Sequence, residues 1–506
     1  TNEERENTND DSKITYEEHY IDKITSTNPS TKIQTKNKDW RMDGLVSPLF
    51  ERKSCISRFE SVLYHKVSPY KPSTYLISKL RSYEALHKRC GPGSFSFNRS
   101  IEQLKLKTKD GDNGECKYII WVPSNGLGNR LMSLASTFLF GLLTDRVLLL
   151  DSLSREMADL MCEPFPHSSW LLPDIFPIND HISRDVNADE DENPNVSSKN
   201  SSSPLYIYLN PDRSDYVLDQ TPFHCEQIGG TNLQNVPWLI LLSDQYYVPY
   251  FFLNQPYRDD VELLFPRKDA VFYLLSRYLF NPSNEAWGLI MRFHHAYLAK
   301  TDERIGLQVR VFYPKETPLS TVLDQIHACA QLTKLFPEVE DEVSEESNSY
   351  SNRTSKAILI TSLHSDIYEN LSTTYWNKPS KTGEIIEIYQ PSHEQEQRFK
   401  DRNHDMKAWA EIYLLSMSDV LVTSAWSTFG YAAQGLSGAT SWVLVEPHGA
   451  RVPNPACIRQ PSIEPCYHFP PVYDCSRRAK YDAGKVLPYL KHCLDVKQGI
   501  QLVNDE

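Results

Sequence analysis

Short apolar segments that alternate with helical ones constrain the fold of this chain more than any other feature of its sequence. Residues 117–123, KYIIWVP, predict a buried strand, and RVLLLD at 146–151 predicts a second one. Between them lie a predicted turn, SNGLGNR, and residues 130–143, which have the length of a helix. This order predicts one βαβ unit. The uncharged stretch 131–144 has about 14 residues where a membrane span needs about 20, which indicates a buried core helix.

The second half of the chain repeats this alternation. The predicted strands are 304–312, 357–364, 384–390, 420–424 and 441–447, and the predicted helices are 406–418 and 428–436. Strands that alternate with helices favour parallel sheets, so the sequence predicts the α/β class with two Rossmann-like halves. We expect a flexible stem remnant over residues 1–40, an N-terminal α/β domain over 41–300 and a C-terminal α/β domain over 301–506.

Cysteines and glycosylation sequons predict the lumen of the secretory pathway. The chain has ten cysteines and no C-x-x-C pair, and their even number suits up to five disulfides. The N-x-S/T sequons point to the same compartment. They are Asn98, Asn195, Asn200, Asn352 and Asn370. The acidic, Asn/Ser-rich stretch 179–204 predicts a disordered surface loop, and residues 338–356 predict a similar insertion.

Charge and motif content disfavour several classes of function. The chain has 53 basic and 66 acidic side chains, a net charge of −13, which opposes binding to nucleic acid. No metal site is predicted, because one of the two D-x-D pairs lies in the expected disordered loop. These pairs are Asp110 with Asp112 and Asp189 with Asp191. A G-x-S-x-G elbow, which one class of hydrolases requires, is absent from the sequence.

Ligands of open parallel sheets bind at the carboxyl ends of the strands, where helix N-termini attract anions. The first loop of this kind is 124–130, in which Gly126 and Gly128 let the backbone approach a ligand, and Asn129 and Arg130 supply donors. Position 131 is Leu, so the third glycine of the dinucleotide fingerprint is missing and an NAD site is disfavoured. A plain tight turn is the alternative interpretation.

Two further loops of this kind follow strands of the second half. Arg310 lies at the carboxyl end of an apolar strand, where its guanidinium fits either a diphosphate or a buried carboxylate. Residues 423–430 combine four hydroxyls with an aromatic ring at a helix start, which favours phosphate or sugar contacts over simple capping. The candidate binding residues in this loop are Ser424, Trp426, Ser427, Thr428, Phe429 and Gly430.

Several motifs resemble the plant xyloglucan fucosyltransferase family. They are SNGLGNRLMSLASTFLFGLLTDRVLLLD, IGLQVRVF, VTSAWSTFGYAAQGL, EPCYHFPPVYDC and SPYKPSTYLISKLRSYEALHKRCGPG. The resemblance extends from about Cys55 to the C-terminus. It implies a type II Golgi membrane protein, with its anchor upstream of this sequence, and a fold similar to the two-domain GT-B glycosyltransferases. It also implies an inverting, metal-independent transfer of fucose from GDP-fucose to O2 of galactose, and homodimers in some members.

The resemblance assigns roles to particular residues. It places Arg310 on the arginine that would hold the GDP diphosphate, and Ser424 to Gly430 on a motif expected around the phosphates and fucose. Asp244 falls on an acidic residue near the reaction centre and is the first candidate for the catalytic base, with His468 as the second. The loop VFYPKE after Arg310 departs from the acidic residues expected in relatives.

The domain roles and the acceptor follow from the same resemblance. We expect residues 41–300 to be the acceptor side and residues 301–506 to bind GDP-fucose, with no cofactor beyond this donor. Xyloglucan galactose is the first expected acceptor, and arabinose of arabinogalactan proteins is the alternative. Two other classes remain open: a non-catalytic glycan-binding protein, in which Trp426 stacks on a sugar, and a glycoside hydrolase, which needs two carboxylates.

Overall fold

Two parallel sheets organise the chain. The computed structural model describes residues 39–106, 116–151, 155–174, 176, 205–209, 233–340, 354–447, 449–474 and 479–504. The four-stranded sheet has the order β2-β1-β4-β3, and the six-stranded sheet has the order β10-β9-β8-β5-β6-β7. The β9–β10 pair is antiparallel and the other neighbours in the two sheets are parallel. This is the predicted α/β class with two Rossmann-like halves, in a GT-B-like arrangement.

The strands have the following bounds: β1 Lys117–Pro123, β2 Arg146–Leu150, β3 Leu205–Leu209, β4 Trp238–Ser243, β5 Glu303–Val309, β6 Ser355–Ser362, β7 Ile385–Tyr389, β8 Val420–Ser424, β9 Trp442–Leu444, β10 Cys457–Arg459, β11 Tyr473–Asp474, β12 Ala479–Lys480, β13 Leu490–His492 and β14 Ile500–Leu502. The last four form two short antiparallel hairpins.

The α-helices have the following bounds: α1 Ile56–Tyr64, α2 Thr74–Cys90, α3 Phe95–Leu106, α4 Leu127–Thr144, α5 Arg155–Leu160, α6 Val248–Leu253, α7 Gln255–Leu264, α8 Val271–Leu279, α9 Asn284–Phe293, α10 Leu319–Thr333, α11 Ser365–Asn377, α12 Arg402–Ser416 and α13 Thr428–Ser437. A π-helix, His294–Leu298, continues α9.

The predicted βαβ unit is confirmed as β1, α4 and β2, but its helix begins earlier than predicted. Asn125 adopts a left-handed φ of 61° and Gly126 returns to extended backbone, so the chain reverses within three residues of the strand. The last four residues of the predicted turn, 127–130, therefore form the first turn of α4. Nearly all of this helix is buried, as its apolar composition requires.

The elements that were predicted for the second half are confirmed, whereas elements of both halves were not predicted. Strands β5 to β9 and helices α12 and α13 lie at the predicted places, with ends shifted by a few residues. Helices α10 and α11 and strand β10 of the second half lie outside the predicted elements, as do β3, β4 and the helices between 248 and 298 of the first half. Their apolar runs are short, and the helices follow one another without the alternation that identified the rest.

One continuous apolar core joins the two halves. It contains Phe138 of α4, Phe272 of α8, Trp409 of α12 and Tyr431 of α13. Helix α13 packs against α4, α8 and α12, so a helix of the second half lies among helices of the first. This packing fixes the relative position of the two sheets and of the strand ends that face each other.

The C-terminal segment returns to the first half. The carboxylate of Glu464 is fully buried, and accepts hydrogen bonds from the backbone N–H of Phe272 at 2.7 Å and from the hydroxyl of Tyr246. Burial raises the pKa of Glu464 to about 8. The segment that carries His468 is thereby attached to the first half of the molecule.

Disulfides and sequons bear on the predicted compartment. The described residues contain four disulfides: Cys55–Cys162, Cys90–Cys116, Cys329–Cys457 and Cys466–Cys493. The remaining two of the ten cysteines, Cys225 and Cys475, lie outside the described residues. The sequon asparagines Asn98 and Asn370 are exposed on helices. In the described part of the chain, every helix is too short or too polar to cross a membrane.

Some predictions concern residues that the structure does not describe. The expected stem remnant lies almost wholly in 1–38, and the expected loops overlap the undescribed ranges 177–204 and 341–353. The two D-x-D pairs and the sequons at Asn195, Asn200 and Asn352 also lie outside the described residues.

Candidate active site

A cavity of about 620 Å³ lies where the carboxyl ends of the two sheets face each other. The loop after β1 and the residues after β4 line it from one side. The loops after β5, β6, β7 and β8 and part of α12 line it from the other. Ten predicted site residues line this cavity: Gly126, Gly128, Asn129, Asp244, Arg310, Trp426, Ser427, Thr428, Phe429 and His468. Arg130, Ser424 and Gly430 are not among its lining residues.

The first turns of α4 and α13 meet in this cavity. The hydroxyl of Thr428 donates a hydrogen bond of 2.8 Å to Oδ1 of Asn129. A Cβ placed on Gly128 would lie 2.6 Å from the backbone nitrogen of Phe429 and 2.7 Å from Oγ1 of Thr428. Only glycine allows the starts of α4 and α13 to pack this closely. Gly128 is therefore needed for the contact between the two helices, in addition to any contact with a ligand.

Arg310 is the first residue after β5 and directs its guanidinium into the cavity. Its backbone N–H donates to Oγ of Ser424 at 2.9 Å, which fixes the end of the strand. Its Nη2 donates to Oε1 of Gln397 at 3.3 Å, a long contact with a neutral amide. Burial lowers the pKa of Arg310. Among the described residues no carboxylate pairs with this guanidinium, so the alternative of a buried ion pair does not apply to this part of the chain.

The hydroxyls of the loop 423–430 are used by the protein in two different ways. Ser427 is the N-cap of α13 and accepts from the N–H of Gly430, while Ser424 accepts from Arg310, so both serines still have an O–H to donate. Thr428 donates its O–H to Asn129, and within the described residues the backbone N–H groups of Thr428 and Phe429 have no acceptor. The groups available to an anion in the cavity are therefore these backbone donors at the helix start and the O–H of Ser427.

Trp426 has a strained backbone at the edge of the cavity. Its φ is 63°, which is uncommon for a bulky residue. Its backbone N–H donates to Oδ2 of Asp495 at 3.2 Å, and the same oxygen accepts from the hydroxyl of Tyr431 at 2.5 Å. Burial raises the pKa of Asp495. This carboxyl thus fixes the backbone of Trp426, and the indole lies beside the ring of His468, with the ring centroids 5.2 Å apart.

Asp244 lies at the base of the cavity with only 5% of its surface exposed. Its Oδ2 accepts from Nδ2 of Asn125 at 2.7 Å, and its Oδ1 accepts from Nε2 of Gln245 at 2.7 Å. Asn129 also donates to its backbone oxygen, at 3.3 Å. Two side-chain amides therefore fix the orientation of this carboxylate toward the cavity.

His468, the other candidate base, is also buried at the cavity. Burial lowers its pKa to about 4, so the imidazole is neutral near pH 7. Its Nε2 lies 3.4 Å from the hydroxyl of Tyr431. A neutral imidazole can accept a proton, but its low pKa makes it a weak base.

Arg130 does not line the cavity. Its guanidinium forms a bidentate pair with Asp405 of α12, with N···O distances of 2.8 and 2.7 Å. Both side chains are buried, so the pair links the first turns of α4 and α12 across the two halves. The sequence predicted Arg130 as a hydrogen-bond donor, but it did not identify Asp405 as the carboxylate that accepts these bonds.

Sequence reasoning missed Glu411 and Glu446, two acidic residues that line the cavity. Oε1 of Glu411 accepts from the backbone N–H of Ser392 at 3.1 Å and from its hydroxyl at 2.5 Å, and burial raises the pKa of Glu411 to about 7. A signal was present: Glu411 is a charged residue inside the apolar run of the predicted helix 406–418. Within the described residues, no group of three or more His, Cys, Asp or Glu side chains could hold a metal ion.

Comparison with known proteins relates this geometry to an enzyme family. A family model described as xyloglucan fucosyltransferase matches residues 17–476. A galactoside 2-alpha-L-fucosyltransferase of Arabidopsis thaliana is 47% identical over 474 residues, covering 92% of this chain and 84% of the relative. A protein of the same name from Pisum sativum is 45% identical over 474 residues, covering 92% of this chain and 82% of the relative.

A solved structure is similar over most of the chain. It is a point mutant of Arabidopsis thaliana FUT1 in complex with GDP, and it is 46% identical in sequence. The TM-score is 0.82, and the match covers 92% of this chain and 100% of that chain.

Proposed function

Because the chain belongs to the xyloglucan fucosyltransferase family, we propose that this fucosyltransferase moves L-fucose from GDP-fucose to O2 of a terminal galactose on xyloglucan, a plant cell-wall polysaccharide. The observation that carries the proposal is Arg310. Its guanidinium faces the cavity, and its one side-chain hydrogen bond within the described residues is the long contact with Gln397. A guanidinium in that state is available to a diphosphate.

The donor phosphates fit between Arg310 and the first turn of α13. Displacement of GDP adds about one negative charge to the leaving diphosphate, which preorganised donors stabilise. Arg310 supplies a positive charge, and the N–H groups of Thr428 and Phe429 supply the dipole of a helix start. These groups provide the stabilisation that a divalent cation provides elsewhere, so we propose that the transfer needs no metal.

We place the nucleobase beside α12 in the same cavity. Guanine presents two adjacent donors, N1–H and the 2-amino group, which suit a carboxylate acceptor. Glu411 offers a buried carboxyl that lines the cavity; its Oε1 already accepts two hydrogen bonds from Ser392, so its Oε2 is the oxygen left for guanine. We therefore assign Glu411 to the guanine edge of the donor.

The transfer itself is a single displacement. The acceptor oxygen attacks C1 of fucose from the face opposite GDP while the bond from C1 to the β-phosphate oxygen breaks, which inverts the configuration at C1. The acceptor hydroxyl loses its proton to Asp244, the first candidate base, or to His468, the second. The fixed orientation of Asp244 supports this order, since both of its carboxylate oxygens are held by amides.

The location of the enzyme and its domain roles are part of the proposal. Four disulfides and the exposed sequons Asn98 and Asn370 support the Golgi lumen, with a membrane anchor upstream of this sequence. The residues assigned to the donor, Arg310, Glu411 and Phe429, all belong to 301–506, which supports that range as the donor side. Asp244, the first candidate base, belongs to 41–300, so we propose that this range forms the main part of the acceptor side. The family resemblance extends the proposal to a homodimer.

One assay tests the proposal. Purified protein is incubated with radiolabelled GDP-fucose and either tamarind xyloglucan or arabinogalactan, and the linkage of the product is determined. We expect α1,2-linked fucose on the galactose of xyloglucan, at a rate that a chelator does not change. If only arabinose were labelled, the acceptor would be an arabinogalactan protein and not xyloglucan. Binding of glycan without any transfer would contradict an enzymatic function.

A further inference from the structure

Two aromatic side chains follow Arg310 and remain exposed although they line the cavity. Phe312 is 45% exposed and Tyr313 is 60% exposed. Their backbone is ordered, because the carbonyl of Tyr313 accepts from the N–H groups of Glu316 and Thr317 at 3.0 and 2.9 Å. Single exposed aromatic residues are common on protein surfaces, but neighbouring ones that line a cavity form an apolar patch of the kind that binds ligands.

The same place carries a carboxylate without a partner. Glu446 lies two residues beyond the end of β9, is half-buried, and forms no hydrogen bond or ion pair with any described residue. Arg310, Phe312, Tyr313 and Glu446 also line a side cavity of about 50 Å³. These four residues therefore stand together at the junction between the main cavity and the side cavity.

The position of this junction distinguishes it from the nucleobase end. In the six-stranded sheet, β5 lies between β8 and β6, so Arg310 is central. Glu446 follows β9 on one side, whereas Ser392, the partner of Glu411, follows β7 on the other. A donor whose base reaches Glu411 and whose diphosphate reaches Arg310 leaves the β9 side free for the acceptor.

The chemistry of the junction suits a neutral sugar ring. Aromatic rings stack on the apolar C–H face of a pyranose, and a carboxylate accepts hydrogen bonds from two neighbouring hydroxyls of the same ring. A free carboxylate and a chain of net charge −13 repel acidic glycans such as polygalacturonate. The ring of Phe312 is also held beside Arg310, with its centroid 5.7 Å from the guanidinium carbon.

We infer that Phe312, Tyr313 and Glu446 form an acceptor subsite that binds a neutral pyranose ring of the glycan next to the reaction centre. This inference rests on the proposed fucosyltransferase function and adds to it the residues that select the acceptor. All three residues belong to 301–506, so the subsite adds a contribution of the donor side to an acceptor side that lies mainly in 41–300.

Steady-state kinetics of single variants tests the inference. We expect Tyr313→Ala and Glu446→Gln each to raise KM for a galactosylated xyloglucan oligosaccharide about tenfold, while KM for GDP-fucose changes less than twofold. Tyr313→Phe, which keeps the ring, should retain the wild-type KM for the oligosaccharide. We expect the same rise in KM for the oligosaccharide in Phe312→Leu, because leucine keeps the apolar volume and removes the ring.

Matched controls test whether the effects come from the subsite or from the loss of any exposed aromatic ring or carboxylate. Trp376→Ala removes an aromatic ring that is 89% exposed outside the cavity, and Glu102→Gln neutralises an exposed carboxylate on α3. Both should behave as wild type toward donor and acceptor. An unchanged KM for the oligosaccharide in Tyr313→Ala and Glu446→Gln would overturn the inference. Failure of the proposed function is recognised separately, because wild-type protein would then transfer no fucose at all.

Discussion

Thr428 donates a hydrogen bond of 2.8 Å to Asn129, and this contact joins the first turns of two helices that belong to opposite halves of the molecule. The apolar core continues behind it, through α4, α12 and α13. The two sides of the cavity are therefore positioned by direct packing and not by a linker.

Gly128→Ala tests whether this contact shapes the site. The Cβ of the new alanine would lie 2.6 Å from the backbone nitrogen of Phe429. A backbone atom cannot move aside as easily as the end of a flexible side chain. We expect a loss of about 1–3 kcal/mol of unfolding free energy, as for overpacked cores, and a kcat/KM reduced at least tenfold. The matched control is Gly288→Ala in α9, where the new Cβ meets only the flexible end of Arg292 at 3.1 Å. Equal effects of the two substitutions would contradict a special role for Gly128.

Arg310→Ala and Arg310→Lys test the diphosphate contact. Removal of the guanidinium should lower kcat/KM by about 10²–10³, as for other preorganised donors, and remove most of the thermal protection that GDP gives. Lysine keeps the charge but not the planar fork and should recover only part of the loss. Arg459→Ala is the control. Arg459 lies outside the cavity, and its guanidinium carbon is 5.6 Å from the ring centroid of Trp442, so it resembles Arg310 in being next to an aromatic ring. Near-normal turnover in Arg310→Ala would refute the assignment.

The placement of Arg310 shows what the sequence could predict. Alternating apolar segments are sufficient to identify β1, α4, β2 and strands β5 to β9. Parallel strands then place the loops after β5 and β8 on one edge of their sheet, and the loop after β1 on the corresponding edge of the other sheet. The cavity was predictable for that reason, since it depends on strand direction and not on side-chain detail.

The partners of individual side chains could not be predicted in the same way. Asp405 pairs with Arg130, from which it is separated by 275 positions in the sequence. Asn129 accepts a hydrogen bond from the hydroxyl of Thr428, from which it is separated by 299 positions. Such pairs depend on how two halves pack, and local patterns do not contain that information. The same holds for Glu411, whose helix was predicted but whose position at the cavity depends on the packing of α12.

Asp244→Asn tests the first candidate base. An amide at this position faces the amide donors of Asn125 and Gln245, so one hydrogen bond is lost along with the basic oxygen. We expect kcat to fall by about 10²–10⁴ and the acidic limb of the pH–kcat/KM profile to change. A loss below about tenfold with an unchanged profile would make Asp244 a positioning residue. The same profile measured on His468→Gln would then test the second candidate.

Glu411→Gln tests guanine recognition and has a defined pH dependence. Because burial raises the pKa of this carboxyl to about 7, the folded state binds its proton more tightly than the unfolded state. Its contribution to the stability of the unliganded protein is fully present below about pH 4.5 and is lost as pH rises to about 7. The loss amounts to roughly 3 kcal/mol at about 1.4 kcal/mol per pKa unit, and the variant should not show it.

Binding of nucleotides to the same variant separates recognition from stability. Wild-type protein should bind GDP more tightly than IDP, which lacks the 2-amino group, and should bind GDP more tightly at pH 8 than at pH 6. Glu411→Gln should lose both preferences in calorimetric titrations. Glu394→Gln is the control, since Glu394 also lines the cavity but its carboxylate is paired with Lys407. Retention of the preference for GDP in Glu411→Gln would place the base elsewhere.

Two disulfides of nearly equal span test whether the C-terminal segment positions the site. Cys466–Cys493 spans 27 residues and Cys90–Cys116 spans 26, so loop-closure entropy predicts a similar cost of about 3.5 kcal/mol for removing either. Only the first holds the segment that carries His468 at the cavity, whereas the second lies in the outer core beside α3.

Replacing both cysteines of each pair by serine should lower the melting temperature by similar amounts, measured by calorimetry. At a temperature where both variants are folded, kcat/KM should fall in the Cys466–Cys493 variant and stay near wild type in the other. Equal activities would mean that hydrogen bonds of Glu464 and Tyr467 position the segment without the covalent link.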